Sequence, residues 1–181
     1  MANYVYTIFL DAGHGGSDPG AVYNGRQEKD DSLALTLAVG EILKSYGFNV
    51  IYSRTEDIYE SPYQKAAKGN ASGADIFISI HRNSSPYPNQ YSGVESLVYN
   101  EWLPAGTIAT HINRQLEGIG YKNLGVNARP NLVVLRRTEM PAVLVEVGFL
   151  NNDQDNALLD AQFEETARAI ADGIAGTLWT W

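Results

Sequence analysis

Short apolar runs alternate along the chain with longer segments in which apolar residues recur at helical spacing. The short runs are rich in β-branched and aromatic residues and are bounded by turn-forming residues, a pattern that predicts β-strands. Strands are predicted in this way for residues 6–10, 48–52, 74–81, 94–99, 131–135 and 142–147.

The longer segments predict amphipathic helices, because their apolar residues fall on one face. These segments are residues 30–46, 62–71, 104–116 and 162–178, whereas 84–92 and 151–156 are interpreted as loops. Asp30, Asp31 and Ser32 supply capping groups and favourable negative charge for the first helix, and Pro62 suits the first turn of the second. The alternation of strands and helices predicts a single α/β domain with a mostly parallel sheet.

The composition is that of a globular protein and restricts the possible partners and metal ligands. The chain has 181 residues, of which 44% are hydrophobic and 19% charged. It contains no cysteine, so any metal must be held by histidine, aspartate or glutamate. The formal net charge of −8 argues against a nucleic-acid partner and against tight binding of this domain to an anionic surface. No apolar stretch approaches the roughly 20 residues of a membrane-spanning helix.

Two histidines stand at the ends of predicted strands. His14 follows the first strand on a glycine-rich loop, and His81 ends the third. Ligands bind at the carboxyl edge of open α/β sheets, and Glu28 follows the loop that carries His14. His14, Glu28 and His81 together form the two-histidine, one-carboxylate set of catalytic zinc, with a fourth position left for water. Either histidine alone could equally be a hydrogen-bonded loop residue, and His111 is interpreted as a solvated surface residue.

Glu146 interrupts an apolar strand close to its end. A buried carboxylate is costly unless it is paired or lies near a cation. Two interpretations remain open at this point. Glu146 forms a structural salt bridge with Arg136 or Arg137, or it lies beside the metal and accepts a proton from the bound water.

Several other motifs are incomplete. Residues 16–19 resemble a nucleophile elbow without its final glycine, and the glycines of GHGGSDPG lack the Lys-Ser/Thr ending of a phosphate-binding loop. Residues 151–156 lack the glycine of a calcium loop. Tyr87, Tyr91 and Trp102 either line a sugar or peptide cleft or are scattered surface aromatics.

The motifs taken together resemble the zinc-dependent N-acetylmuramoyl-L-alanine amidases of the amidase-3 type. The resemblance covers nearly the whole chain, in the order of the family. Its segments are residues 10–16 (LDAGHGG), 18–21 (DPGA), 28–30 (EKD), 53–54 (SR), 70 with 74–75 (N and AD), 79–83 (SIHRN), 93–95 (GVE), 134–136 (VLR) and 141–151 (PAVLVEVGFLN).

The resemblance implies a twisted, mostly parallel six-stranded sheet flanked by helices, with residues 1–181 as one catalytic domain. It implies one Zn²⁺ per chain on His14, Glu28 and His81, with Glu146 catalytic. The implied reaction hydrolyses the peptidoglycan amide bond between N-acetylmuramic acid and the L-alanine of the stem peptide. A zinc peptidase that cuts within the stem, or a wall-binding domain without activity, would be the competing classes.

Other expectations concern single residues. Arg136 is expected to pair with a stem-peptide carboxylate, and Asn83 to contact the substrate. Asp11 either orients a ligand imidazole or stabilises the turn. Arg82 stands where the family usually has alanine, which would alter substrate preference.

The expected partner is peptidoglycan, with no nucleic acid and no membrane, and the chain is expected to be a monomer. The first residues lack the basic and apolar regions of a signal peptide. We therefore expect a phage-type lysin that is cytoplasmic until its release at lysis, or a bacterial autolysin whose signal has been removed. A separate wall-binding module is expected outside these residues.

Overall fold

The computed structural model describes residues 4–102 and 104–180. Eight strands are assigned there: β1 (Thr7–Ala12), β2 (Val22–Tyr23), β3 (Arg26–Gln27), β4 (Asn49–Tyr52), β5 (Ile76–Asn83), β6 (Val94–Val98), β7 (Asn123–Ala128) and β8 (Ala142–Phe149). The helices are α1 (Glu28–Ser45), α2 (Pro62–Ala71), α3 (Ala105–Gly118), α4 (Val133–Arg137), α5 (Asp153–Ala161) and α6 (Phe163–Leu178).

Six strands form one sheet in the order β4-β1-β5-β8-β6-β7. All neighbouring pairs are parallel except β6 and β8, which run antiparallel. β2 and β3 form a separate small hairpin. The predicted α/β fold with a six-stranded, mostly parallel sheet is therefore confirmed.

Helices cover both faces of the sheet, as the burial of the central strands requires. α1, α3 and α6 pack together on one face, over a core that includes Ile8, Ile78 and Val145. On the other face α2 and α4 pack together, and a smaller cluster contains Phe9 and Phe77, whose rings stack with centroids 5.2 Å apart. No helix within the described ranges has the length and apolar character needed to cross a bilayer.

Three predictions from the sequence were wrong. Residues 131–135 do not form a strand, because 133–137 form the short helix α4, and the edge strand is β7 instead. The segment 151–156 is not all loop, since α5 begins at Asp153. The Asn152 side chain caps it by accepting from the backbone N–H groups of Gln154 and Asp155. α1 begins at Glu28 rather than at Asp30.

Candidate metal centre

His14, Glu28 and His81 meet at the carboxyl edge of the sheet. His14 follows β1, His81 lies in the adjacent strand β5, and Glu28 is the first residue of α1. One potential ligand atom from each lies within 4.8 Å of the other two. The Glu28 Oε1 atom is 3.1 Å from His14 Nε2 and 2.8 Å from His81 Nδ1. No other His, Asp or Glu triad in residues 4–102 and 104–180 is this compact.

His14 is held in an unusual backbone conformation. Its φ angle is 58°, in the left-handed region that non-glycine residues seldom occupy. Two buried cations hold this loop by its carbonyl oxygens: Arg54 donates to Ala12 and Gly13, and Lys65 donates to Ala12 and His14. We call Arg54 and Lys65 the carbonyl clamp.

The loop also depends on a glycine. A Cβ atom on Gly13 would lie only 2.4 Å from the His81 ring, so this position has no room for a side chain. The His14 ring is oriented by Asp18, whose Oδ2 is 2.8 Å from His14 Nδ1. The other ring nitrogen, Nε2, therefore faces Glu28 and His81.

Glu28 is buried and strongly hydrogen-bonded. Its Oε1 accepts from the Arg82 backbone N–H at 3.1 Å, and its Oε2 accepts from the Ala21 N–H at 2.9 Å. Although burial opposes the charged form, hydrogen bonds with His14 and His81 lower the pKa of Glu28 far below its usual range. Its position in the first turn of α1 also favours negative charge.

The charge of Glu28 in turn affects His14. Burial lowers the pKa of the imidazole, but the hydrogen bonds and charges of Glu28 and Asp18 outweigh it and raise the pKa to about 9. Without a metal, His14 therefore carries a proton that a cation would replace. Two imidazoles and one carboxylate aimed at a common point are the donor set of catalytic zinc, so these residues fit that ion.

Glu146 lies beside this group on β8. The strand register places it opposite His81 on one side and opposite Glu95 of β6 on the other. Its Oε2 atom is shielded from solvent and has no hydrogen-bond partner. Burial raises the pKa of Glu146 to about 7, with further contributions from the charges of Glu28 and Glu95.

The salt-bridge interpretation of Glu146 is not supported. No ion pair joins it to Arg136 or Arg137 among the described residues. Arg137 lies over the ring of Tyr63 instead, 5.9 Å from its centroid.

Two cavities flank the site, and the rings of His14 and His81 border both. We call the first, of about 460 Å³, the polar cavity; it is also lined by Glu146, Asn83 and Arg129. The second, of about 270 Å³, is the apolar cavity; Leu132, Val133, Val134 and Leu144 line it together with the charged Asp11, Asp18, Glu60 and Lys65. Leu132 and Leu144 border both cavities.

The remaining candidate residues lie in several places. Asn83 borders the polar cavity and donates through Nδ2 to Glu95 Oε2 at 3.2 Å. Arg136 is exposed and lines a separate depression of about 410 Å³ with Tyr99 and Trp102. The substrate contacts of Asn83 and Arg136 stay predictions. Tyr87 is exposed and borders neither cavity.

Asp11 and Arg82 have structural contacts. The Asp11 carboxylate accepts from the Ser53 and Ser79 hydroxyls and lies 3.0 Å from Lys65 Nζ, so it braces the strand ends rather than an imidazole. The Arg82 guanidinium is buried and bonds to Asp31, Asn156 and the Phe149 carbonyl. These contacts occupy the side chain inside the fold and do not support a role in substrate preference.

His111 is not the freely solvated residue predicted. It is partly buried, and its Nδ1 lies 2.7 Å from the Thr177 hydroxyl, which joins α3 to α6.

Sequence reasoning missed Asp18 and Arg129. The four-residue spacing between His14 and Asp18 was available as a signal. No pattern in the sequence pointed to Arg129, because it follows β7, a strand that the sequence did not predict.

Comparison with known proteins shows the family to which this chain is similar. A family model described as N-acetylmuramoyl-L-alanine amidase matches residues 8–176. The chain is 36% identical to the endolysin of Bacillus phage SPP1 over 94% of the chain and 65% of that protein. It is 38% identical to the sporulation-specific N-acetylmuramoyl-L-alanine amidase of Bacillus subtilis (strain 168), over 92% of the chain and 66% of that protein. The chain thus spans about two thirds of each of these two relatives.

Solved structures show the same architecture. The N-acetylmuramoyl-L-alanine amidase from Clostridium difficile 630 superimposes with a TM-score of 0.91 at 30% identity, covering 97% of this chain and 98% of that one. The catalytic domain of CwlV, an N-acetylmuramoyl-L-alanine amidase from Bacillus (Paenibacillus) polymyxa var. colistinus, gives a TM-score of 0.88 at 33% identity. The superposition covers 98% of this chain and 100% of the CwlV chain.

Proposed function

The chain belongs to the N-acetylmuramoyl-L-alanine amidase family, and we propose that it is a zinc-dependent catalytic domain with Glu146 as its general base. Its substrate is peptidoglycan, in which it hydrolyses the amide bond between N-acetylmuramic acid and the L-alanine of the stem peptide. One observation carries the proposal: the unpartnered Oε2 of Glu146 lies beside the compact group of His14, Glu28 and His81.

His14, Glu28 and His81 would hold one zinc ion per chain. Zinc bound there supplies a Lewis acid that polarises the amide carbonyl and acidifies water. The protein prepares the ligand set in advance, because Asp18 orients His14 and two backbone N–H groups fix Glu28.

Glu146 is suited to move a proton in both directions. A base acts most effectively when its pKa lies near the working pH, and that of Glu146 is about 7. Its carboxylate accepts a proton from the attacking water and then delivers that proton to the departing alanine nitrogen. Glu146 borders the polar cavity, and its Oε2 has no hydrogen-bond partner in the described structure, so no protein contact fixes the carboxyl group in one protonation state.

We propose further that the chain acts on the cell wall as a monomeric hydrolase. The net charge of −8 supports a substrate other than nucleic acid or an anionic membrane. The names of two relatives, an endolysin and a sporulation-specific N-acetylmuramoyl-L-alanine amidase, support action on the bacterial wall.

Digestion of purified peptidoglycan tests the proposal. New amino termini should be alanine, and reducing sugar ends should stay at background. Rising reducing ends would indicate glycosidase chemistry, and new termini within the stem would indicate an endopeptidase. No release of either kind would favour a binding domain.

The variant Glu146→Gln tests the base. It retains the shape of the side chain and removes the base, so turnover should fall by roughly 10²–10⁴-fold while zinc content is unchanged. The exposed Glu139→Gln is a matched control. Near-normal turnover in Glu146→Gln would refute the role of this residue.

A further inference from the structure

The polar cavity is bordered by an arginine whose guanidinium forms no hydrogen bond with a carboxylate among the described residues. Arg129 follows β7, and its backbone N–H donates to the Val98 carbonyl at 2.8 Å, so its main chain is fixed to the sheet. Its side chain is 54% exposed and borders the cavity with Glu146 and the two histidines. The guanidinium is thus presented to the cavity on a rigid base.

The nearest carboxylate does not satisfy this guanidinium. Arg129 Nη2 is 3.8 Å from Glu95 Oε1, too far for a hydrogen bond. Glu95 already accepts from Asn127 at 2.9 Å and from Asn83 at 3.2 Å. Of the Arg129 side-chain donors, Nη1 contacts its neighbouring carbonyl, that of Ala128, at 3.1 Å. The Nε and Nη2 edge is therefore available to a planar anion.

The chemistry of the reaction assigns this cavity to one side of the substrate. Glu146 must reach the departing nitrogen to return its proton, and Glu146 borders the polar cavity. The peptide that carries this nitrogen therefore extends into the polar cavity.

We propose that Arg129 is a specificity-determining residue that binds the first carboxylate of the stem peptide beyond L-alanine. This inference rests on the proposed function, because it uses the direction in which Glu146 returns its proton. Arg129 lies on the leaving-group side because it borders the same cavity as Glu146. A stem whose carboxylate is converted to a carboxamide loses the charged contact.

The test uses two muramoyl peptides that differ only in this group, one with the carboxylate and one with the carboxamide. Wild-type protein loaded with zinc should cleave the carboxylate form with the higher kcat/KM. Arg129→Gln should lower kcat/KM for that form by about tenfold, mainly through KM, and leave the carboxamide form unchanged. Arg129→Lys should restore part of the preference, because it keeps the charge but loses the planar fork.

Arg114→Gln, which removes an exposed arginine of α3, makes the same charge change outside the site and should keep the preference. Equal losses on both substrates in Arg129→Gln would mean that Arg129 merely balances Glu95, and the inference would be overturned. If Arg136→Gln, rather than Arg129→Gln, abolishes the preference for the carboxylate form, the carboxylate binds Arg136 and the inference is overturned. Failure of the wild-type protein to cut either peptide would refute the proposed function, and the inference with it.

Discussion

Replacement of Glu146 by glutamine should stabilise the metal-free protein, and the gain should depend on pH. Glutamine has the shape of the protonated acid but cannot ionise. In the folded protein Glu146 is shielded from solvent at Oε2 and lacks a hydrogen-bond partner there, so its negative charge is disfavoured. The unfolded chain exposes the same side chain to water.

The magnitude follows from the two pKa values of Glu146. Burial raises the folded value to about 7 from an ordinary value of 4.5. Below about pH 4.5 both states are protonated and the charge costs nothing. As the pH rises to about 7, the unfolded state ionises first, so wild-type stability falls. Above about pH 7 the full difference applies, which is about 3 kcal/mol.

Urea denaturation in the presence of a chelator measures this directly. The variant should match wild type at about pH 4 and exceed its free energy of unfolding by about 3 kcal/mol at about pH 8. Glu139→Gln, at an exposed loop position, should show little difference at either pH. Equal stability of wild type and Glu146→Gln at the higher pH would show that the carboxylate is not desolvated, and the argument for its raised pKa would fail.

Three further predictions concern the metal site and its support. His14→Ala, Glu28→Ala and His81→Ala should each reduce zinc content measured by metal analysis, whereas His111→Ala should not; full zinc retention in His81→Ala would contradict the ligand assignment. Zinc affinity should rise with pH up to about 9, since the ion replaces the His14 proton, and calorimetry in buffers of different ionisation enthalpy should detect proton release. Arg82→Met should lower the free energy of unfolding by about 1–3 kcal/mol, because Asn156 and the Phe149 carbonyl lose their buried donor while Asp31 keeps Arg26; an unchanged denaturation midpoint would contradict this.

The sequence predicted which candidate residues lie together better than it predicted the edges of the fold. His14 and His81 could be brought together because parallel strands deliver their ends to one edge of a sheet, and Glu146 could be singled out because it interrupts an apolar strand. The strand β7 reads NLGVNA and is only partly buried, so it has neither a long apolar run nor a clear alternation. Helix α5 was not predicted, because its N-cap Asn152 lies in a segment whose composition is typical of loops.

Spacing in the sequence does not by itself establish the contacts around the site. Asp18 reaches His14 because the loop adopts a left-handed conformation at His14, which depends on the surrounding structure. Arg129 and Glu95 come together only through the pairing of β6 with β7. The Arg129–Glu95 contact joins residues that are distant in sequence, and no local pattern specifies it.

The carbonyl clamp has a consequence for what happens to the fold when a bound metal is removed. Arg54 and Lys65 hold the His14 loop through its backbone carbonyls, and these contacts do not involve a metal. In small zinc-folded domains, by contrast, removal of the metal dissolves the fold. Here the contacts that fix the His14 loop are made by the protein alone, so the loop is expected to keep its backbone conformation when a bound metal is removed.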